Sequence, residues 1–276
     1  MTTLKFGNGN AKLSSNISTF SLPAGFTCTQ ADKCFAVANR LTGKITEGKN
    51  TEFRCFAASS EAIFPNARKS RWDNFELLKS AASIEKMAEL IQTSIPFKLG
   101  IIRCHVAGDF FNEKYFLAWL NVAMNNNDLI IYGYTKCLNF LVKYKKYIPS
   151  NFRFTASKGG KLDSLIGKHK LKYAEVVFSV NEAKEKGLEI DHDDTLAIAN
   201  KVSFALLLHG TQSSNSIASN ALKQLKSQGL GFYNEDTKKD TKKEVAIKPV
   251  KIYITLDSVK TPSYKFIPYT KGLLIK

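Results

Sequence analysis

Long apolar runs are missing from this 276-residue sequence, and nothing approaches the roughly 18 uninterrupted apolar residues of a membrane-spanning helix. Glycine (16) and proline (7) are not enriched while 44% of residues are hydrophobic, so collagen-like, coiled-coil and disordered readings fail. Met1 to Gly7 lacks the apolar core of a secretory signal. The expectation is therefore a reducing cytoplasm, where disulfides are disfavoured. The phosphate-binding patterns GxxxxGK[ST] and GxGxxG are absent. Paired Cys-x-x-Cys spacing, the mark of zinc ribbons, is absent too.

Acidic residues are scarce. Lys plus Arg number 40 against 24 Asp plus Glu, a formal charge of +16. Such an excess suits polyanionic partners, nucleic acid among them, or a solvated lysine-rich surface. The densest basic stretch, Lys238 to Lys251, is broken by Asp240 and Glu244 and reads as a linker.

The length allows one large α/β domain or two small ones. Residues 1–72 show little helical periodicity and read as an irregular, cysteine-containing segment packed on the main domain. Asp73 is placed as the cap of one long helix reaching Thr93, its apolar face built from Phe75, Leu78, Ala82, Met87, Leu90 and Ile91. Strands are expected at Leu99–Val106, Leu129–Thr135, Phe152–Ala156, Tyr173–Val180 and Ser203–Leu208. Helices are expected at 113–126, Leu138–Tyr147, 161–168, 181–186, 193–201 and 215–227. This alternation over residues 73–228 predicts a parallel sheet with right-handed crossovers. The fold class is thus α/β, a partial (β/α) barrel-like parallel sheet. Residues 229–250 read as a Lys-rich linker or loop. In 251–276, residues 251–257 read as a strand and Tyr264–Lys276 as a further edge strand.

In parallel α/β folds the chemistry sits where strands end. Those exits hold Cys104-His105-Val106-Ala107-Gly108-Asp109-Phe110, then Tyr134-Thr135-Lys136, Ser157-Lys158-Gly159-Gly160, Ser179 with Asn181, and His209-Gly210-Thr211-Gln212. Several polar exits on one sheet edge predict one pocket, the alternative being ordinary polar loops. Asp109, Lys136, Lys158, His209 and Gln212 are the candidate catalytic residues. Gly108, Thr135, Gly159 and Gly210 are places where a backbone can approach a bound group. Asp109 serves as ligand orienter or proton acceptor, or else as a helix cap shared with Asn112. His169 and His192 lie in charged segments and read as solvated.

The five cysteines are Cys28, Cys34, Cys55, Cys104 and Cys137. Cys28 and Cys34 flank a short polar turn, and two thiols so placed can converge on one metal. All-cysteine sites favour an iron–sulfur cluster or zinc. Cys137 fits an inert buried thiol.

Six separated motifs then come in a recognisable order. They are Lys12-Leu13-Ser14 with Thr19 to Cys28 and Cys34; Phe53-Arg54-Cys55-Phe56-Ala57-Ala58-Ser59; Arg71-Trp72-Asp73-Asn74-Phe75; Arg103 to Phe111; Tyr134-Thr135-Lys136; and His209-Gly210-Thr211-Gln212. Over about residues 10–228 the chain resembles the phage "gene product eighty-eight" family. The resemblance implies a relative of radical S-adenosylmethionine proteins: a partial barrel with an iron–sulfur cluster, of the 4Fe-4S kind, in the cytoplasm of an infected host cell. On that resemblance Cys28, Cys34 and Cys55 are the cluster ligands. The fourth position falls to Cys104, to His105 or to an open iron site. The CxxxCxxC spacing of true radical S-adenosylmethionine enzymes is not present. Three functions follow as expectations: a radical-S-adenosylmethionine-like enzyme acting on a small molecule or macromolecule; a nucleic-acid-binding or redox-sensing protein with a structural cluster; and a zinc-stabilised module without catalysis. No membrane partner is expected.

Overall fold

The computed structural model describes residues 3–9, 12–13, 16–96 and 100–231. The linker from residue 232 on, the strand expected at 251–257, the edge strand at 264–276 and the basic stretch from Lys238 lie outside the described residues.

Strands β1 (Gly7–Asn8), β2 (Ile17–Phe20), β5 (Ile101–Cys104), β6 (Ile130–Thr135), β7 (Phe152–Ser157), β8 (Tyr173–Val177), β9 (Glu189–Ile190) and β10 (Phe204–Leu207) form one sheet. β3 (Ala36–Ala38) and β4 (Ile45–Glu47) form a separate antiparallel hairpin. The order in the large sheet is β1-β2-β5-β6-β7-β8-β10-β9. Only the β1–β2 pairing is antiparallel. The sheet is mostly parallel, as the alternation predicts, and it is open rather than closed into a barrel.

From β5 to β8 each new strand is added on the same side of the last. With right-handed crossovers such winding puts every connecting helix on one face. That outer face is covered by α2 (Pro65–Ser80), α3 (Ile84–Ser94), α4 (Glu113–Met124), α5 (Leu138–Lys143), α6 (Ser164–His169), α7 (Val180–Glu185) and α9 (Ile217–Ser227). Ile102, Cys104, Ile131, Phe152, Phe154 and Ala156 point into the main core there, against Trp72, Phe75, Leu78, Met87, Ile91 and the fully buried Trp119. The one reversal is at the end: β10 inserts between β8 and β9. The same handedness then sends the β9–β10 crossover, α8 (Thr195–Ala199), to the opposite face. Ala197 of α8 packs there with Leu13, Ile17, Tyr132, Ala174 and Phe204. The inner face of the curved sheet is thus filled by the chain itself.

Local signals explain most boundaries. Ser83, Asn112, Ser179 and Ser216 cap their helices by accepting from Lys86, Tyr115, Glu182 and Ser219 backbone N–H groups. The expectation at Asp73 is corrected. Asp73 lies inside α2, paired with Lys5 (2.6 Å) and Lys69 (2.8 Å), and the expected long helix is two, divided at Ala81–Ser83. The region before residue 73 is also more regular than expected. β2 joins the large sheet beside β5, and α1 (Phe56–Ile63) precedes α2. Among the described residues no helix is long and apolar enough to cross a membrane.

Candidate metal centre at the sheet rim

The exits of β2, β5, β6, β7 and β10 share the C-terminal edge of the sheet, and three loops bring cysteines to it. The first leaves β2. Gly25 takes φ +70° because a Cβ there would stand 2.2 Å from the Ala36 carbonyl oxygen. The loop is tied down by Ala24 N–H, which donates to Glu61 Oε1 at 2.8 Å, and by Thr27 Oγ1, which donates to the Pro23 carbonyl at 2.8 Å. Cys28 follows in a turn closed onto the Gly25 carbonyl. The second loop carries Cys34 and lies on the β7 exit. Lys33 N–H donates to the Gly159 carbonyl at 3.1 Å, and Ala31 bridges Gly160.

The third places Cys55 at the N-cap of α1, where unpaired backbone N–H groups favour negative charge. Gln212 holds this segment. Its Oε1 accepts from Arg54 N–H at 2.8 Å, and its Nε2 donates to the Arg54 and His209 carbonyls, both at 3.2 Å. Arg54 Nη2 donates to Ser213 Oγ at 2.7 Å, Ser59 Oγ donates to the Thr211 carbonyl at 2.8 Å, and the His209 ring lies 4.6 Å from that of Phe56. A Cβ on Gly210 (φ +79°) would reach within 2.7 Å of Phe56 Cβ, so the rim needs glycine at this close approach.

The three thiols feel one another. Burial pushes the Cys28 thiol well above its ordinary pKa, and negative charge on Asp109, then Cys55, then Cys34 pushes it further. Burial and Cys34 push Cys55 up to about 11, against the opposing pull of Ala58 and Ala57 N–H and of Arg71. All five cysteines are free thiols. Among the described residues no three His, Cys, Asp or Glu side chains close on a single ion position.

Asp109 is the other centre of the rim. It accepts from Thr135 Oγ1 (2.6 Å) and Phe110 N–H (2.7 Å) on Oδ1, and from Lys136 N–H (2.8 Å) on Oδ2. Burial raises its pKa against those three donors. Asn112, not Asp109, caps α4. Gly108 (φ +85°) lets the loop pass Thr27 and Leu22, where a Cβ would stand 2.6 Å from Thr27 Oγ1. Lys136 directs its ammonium at the Ser157 carbonyl and Oγ (both 3.0 Å) and the Lys158 carbonyl (2.9 Å), so it braces the β7 exit.

Other predicted residues stand apart. Lys158 turns to the outer face, pairing with Glu175 at 2.8 Å. Cys104 is fully buried in the main core. His105, at φ +63°, accepts from or donates to the Tyr115 hydroxyl at 2.9 Å through Nε2, and burial pushes its pKa down to about 3. Cys137 donates to the Phe110 carbonyl at 3.2 Å and lies 3.8 Å from Thr29 Oγ1, beneath the Cys28 loop. His192 is exposed as expected, while His169 is half-buried.

Sequence reasoning missed the inner-face network. Asp194, itself in the left-handed region at φ +67°, is completely buried. Its Oδ1 takes Lys12 Nζ (2.6 Å) and the Tyr134 hydroxyl (3.1 Å). Its Oδ2 takes Arg103 Nη1 and the Tyr132 hydroxyl (3.1 Å). The available signal was an arginine amid the apolar residues of β5, facing alternate tyrosines on β6.

The family model of gene product 88 matches residues 2–227. The chain belongs to the gene product 88 family. That span takes in all three rim loops and the whole described sheet of this family member, up to α9. No curated protein and no solved structure matches the chain.

Proposed function

We propose that this gene product 88 protein is an iron–sulfur protein whose rim cysteines Cys28, Cys34 and Cys55 hold a cluster of the 4Fe-4S kind. One observation carries the reading: three cysteines from three separate loops gather at one sheet edge, close enough that negative charge on Cys55 and Cys34 raises the pKa of Cys28, and charge on Cys34 that of Cys55. Cys28 and Cys55, half-buried near one another and near Cys34, are unfavourable as anions. A metal group reverses that balance, because coordination deprotonates a thiol outright. When bound, the cluster supplies one-electron chemistry and a rigid cross-link among the loops. The chain's own part is to hold the ligands: Gln212 fixes Cys55, Glu61 fixes the Cys28 loop, and the Gly159–Gly160 exit backs Cys34. An open iron site completes the set, because Cys104 and His105 lie in the core, apart from the rim.

A second reading, a radical-S-adenosylmethionine-like enzyme, is supported by the placement of the thiols at the C-terminal edge of a singly wound parallel sheet. It requires space for a substrate on the inner face, which α8 and the Asp194 network fill here. We therefore favour a structural or redox-sensing cluster.

Anaerobic purification with iron and acid-labile sulfide analysis tests the reading. Wild type and Cys137→Ala should carry both. Cys28→Ala, Cys34→Ala and Cys55→Ala should each lose them, with loosening of the N-terminal loops. Zinc without sulfide, or a Cys28→Ala protein with full iron, refutes it. Conversion of S-adenosylmethionine to 5′-deoxyadenosine by the reduced protein would establish the second reading instead.

A further inference from the structure

The +16 charge is not spread evenly. Residues 138–172 hold nine Lys or Arg and one acidic residue, Asp163. Asp163 faces the cysteine rim, accepting from Gly159 and Gly160 N–H at 2.8 and 2.9 Å. Four of the nine cations are engaged. Lys143 pairs with Glu113 (2.7 Å) and Lys158 with Glu175 (2.8 Å). Arg153 donates to the Ser150 and Ile198 carbonyls, and Lys161 to the Thr29 carbonyl.

The other five, Lys145, Lys146, Lys168, Lys170 and Lys172, are all exposed. Among the described residues none has a carboxylate at ion-pair distance. Lys145 and Lys146 lie in the 3-10 turn Lys145–Tyr147 that leads into β7. The other three end α6 and lead into β8, the neighbouring strand. Both sets precede adjacent parallel strands, the second at the level of Ala156 because β8 begins opposite the end of β7. A helix C-terminus attracts cations, but its influence fades within the last turn and does not require five. Beside them Tyr147 is 55% exposed. It is the one large apolar side chain exposed along this stretch, while the apolar side of α5, Leu138 and Leu141, is buried. A membrane-binding face would need several such side chains. One accessible ring beside exposed cations instead matches how single strands are held, by backbone charge plus base stacking.

We propose that this lysine face binds single-stranded nucleic acid, through the phosphodiester backbone and with little sequence preference. The proposal stands independently of the cluster.

The test is fluorescence anisotropy of the full chain with a labelled thymidine oligonucleotide over a salt series. A duplex of equal length and phosphatidylserine-containing vesicles serve as the other arms. The variant Lys145→Glu/Lys146→Glu/Lys170→Glu is compared with Lys44→Glu/Lys49→Glu/Lys114→Glu, which makes the same charge change at exposed lysines elsewhere. The face variant should lose about tenfold or more in affinity, and its log–log salt slope should fall by roughly 2, from three phosphate contacts at about 0.7 each. The elsewhere variant should change less than about twofold. Tyr147→Ala should weaken single-strand binding about fivefold or more and leave duplex binding unchanged. Equal losses in the two triple variants overturn the proposal. So does absence of wild-type binding at about 150 mM salt, or tighter, face-dependent binding to vesicles.

Discussion

Replacing Asp194 by Asn tests whether the filled inner face is a main support of the fold. The substitution keeps shape and removes one charge. In the native protein that carboxylate sits at zero exposure with two cations and two phenols on its oxygens. Asp194→Asn removes the carboxylate charge with which both Lys12 and Arg103 pair. Breaking a buried pair by removing one partner costs about 3–5 kcal/mol. In a chain of this size each kcal/mol shifts Tm by roughly 2–4 °C, so the melting point should fall by roughly 6–20 °C. Urea denaturation followed by the fluorescence of the buried Trp72 and Trp119 reads the change. The pH dependence is a second check. Burial alone would raise the Asp194 pKa, but Arg103 and then Lys12 outweigh it and hold the carboxyl below its ordinary value. A depressed folded-state pKa stabilises above the unfolded value and is lost as pH falls through the folded one. Wild type should therefore lose this contribution below about pH 4, and the variant should lack that acid limb. Asp191, whose pKa burial raises with help from the Asp194 charge, works in the opposite direction, and does so more strongly in wild type than in the variant, which lacks that charge. Adding Arg103→Met to Asp194→Asn should restore about 1 kcal/mol or more, because one of the two cations that lose their ion pair with Asp194 is removed. A folded Asp194→Asn protein within about 1 kcal/mol of wild type would refute the reasoning.

The rim makes further predictions beside the cysteine and lysine variants. Gln212→Ala strands the Arg54 N–H, which should cost about 1–3 kcal/mol in urea melts and speed iron loss to a chelator through the loosened Cys55 segment. Gly108→Ala forces a Cβ to 2.6 Å from Thr27 Oγ1 at φ +85° and should destabilise by about 1–3 kcal/mol, whereas Gly167→Ala in α6, with nothing within 4 Å, should stabilise by about 0.5–1 kcal/mol. If the two alanine variants melt alike, the strain argument at Gly108 fails.

The βα units from β5 to α9, β9 apart, were legible because most are local patterns, an apolar run followed by a helix, with serine or asparagine caps at α4, α7 and α9. Helix α2 was not. Its buried positions include Arg68 and Asn74, polar residues whose partners are distant backbone atoms, and they mask the helical period. β9, two residues long, has no period to read. The division at Ser83 carried a signal that was passed over, a serine followed by Glu85 in the first turn of α3. Cys28 and Cys34 were legible as thiols near one another in sequence, and Cys55 joined them only through the family resemblance. What holds them was not, because Gln212 lies 158 residues from Arg54. The Asp194–Arg103 pair, 91 residues apart, is likewise invisible to any local pattern.

The motif around residue 104 shows why a contiguous signature is not a contiguous site. Along a strand, neighbours face opposite sides. Arg103 therefore enters the inner-face network while Cys104 enters the helix-covered core. His105 then leaves the strand at φ +63°, which turns its ring against Phe110 and onto Tyr115. Only after Gly108 does the segment reach the rim, where the Asp109 carboxylate faces Cys28. Three adjacent polar residues thus serve the inner face, the core and a turn, and the fourth polar residue in line, Asp109, is the one that joins the cysteines. The cysteines themselves come from the β2 exit, the β3 approach and the start of α1. The rim is assembled by loops converging on a sheet edge, so its chemistry depends on the clamps at Gln212, Glu61 and Gly160 as much as on the thiols.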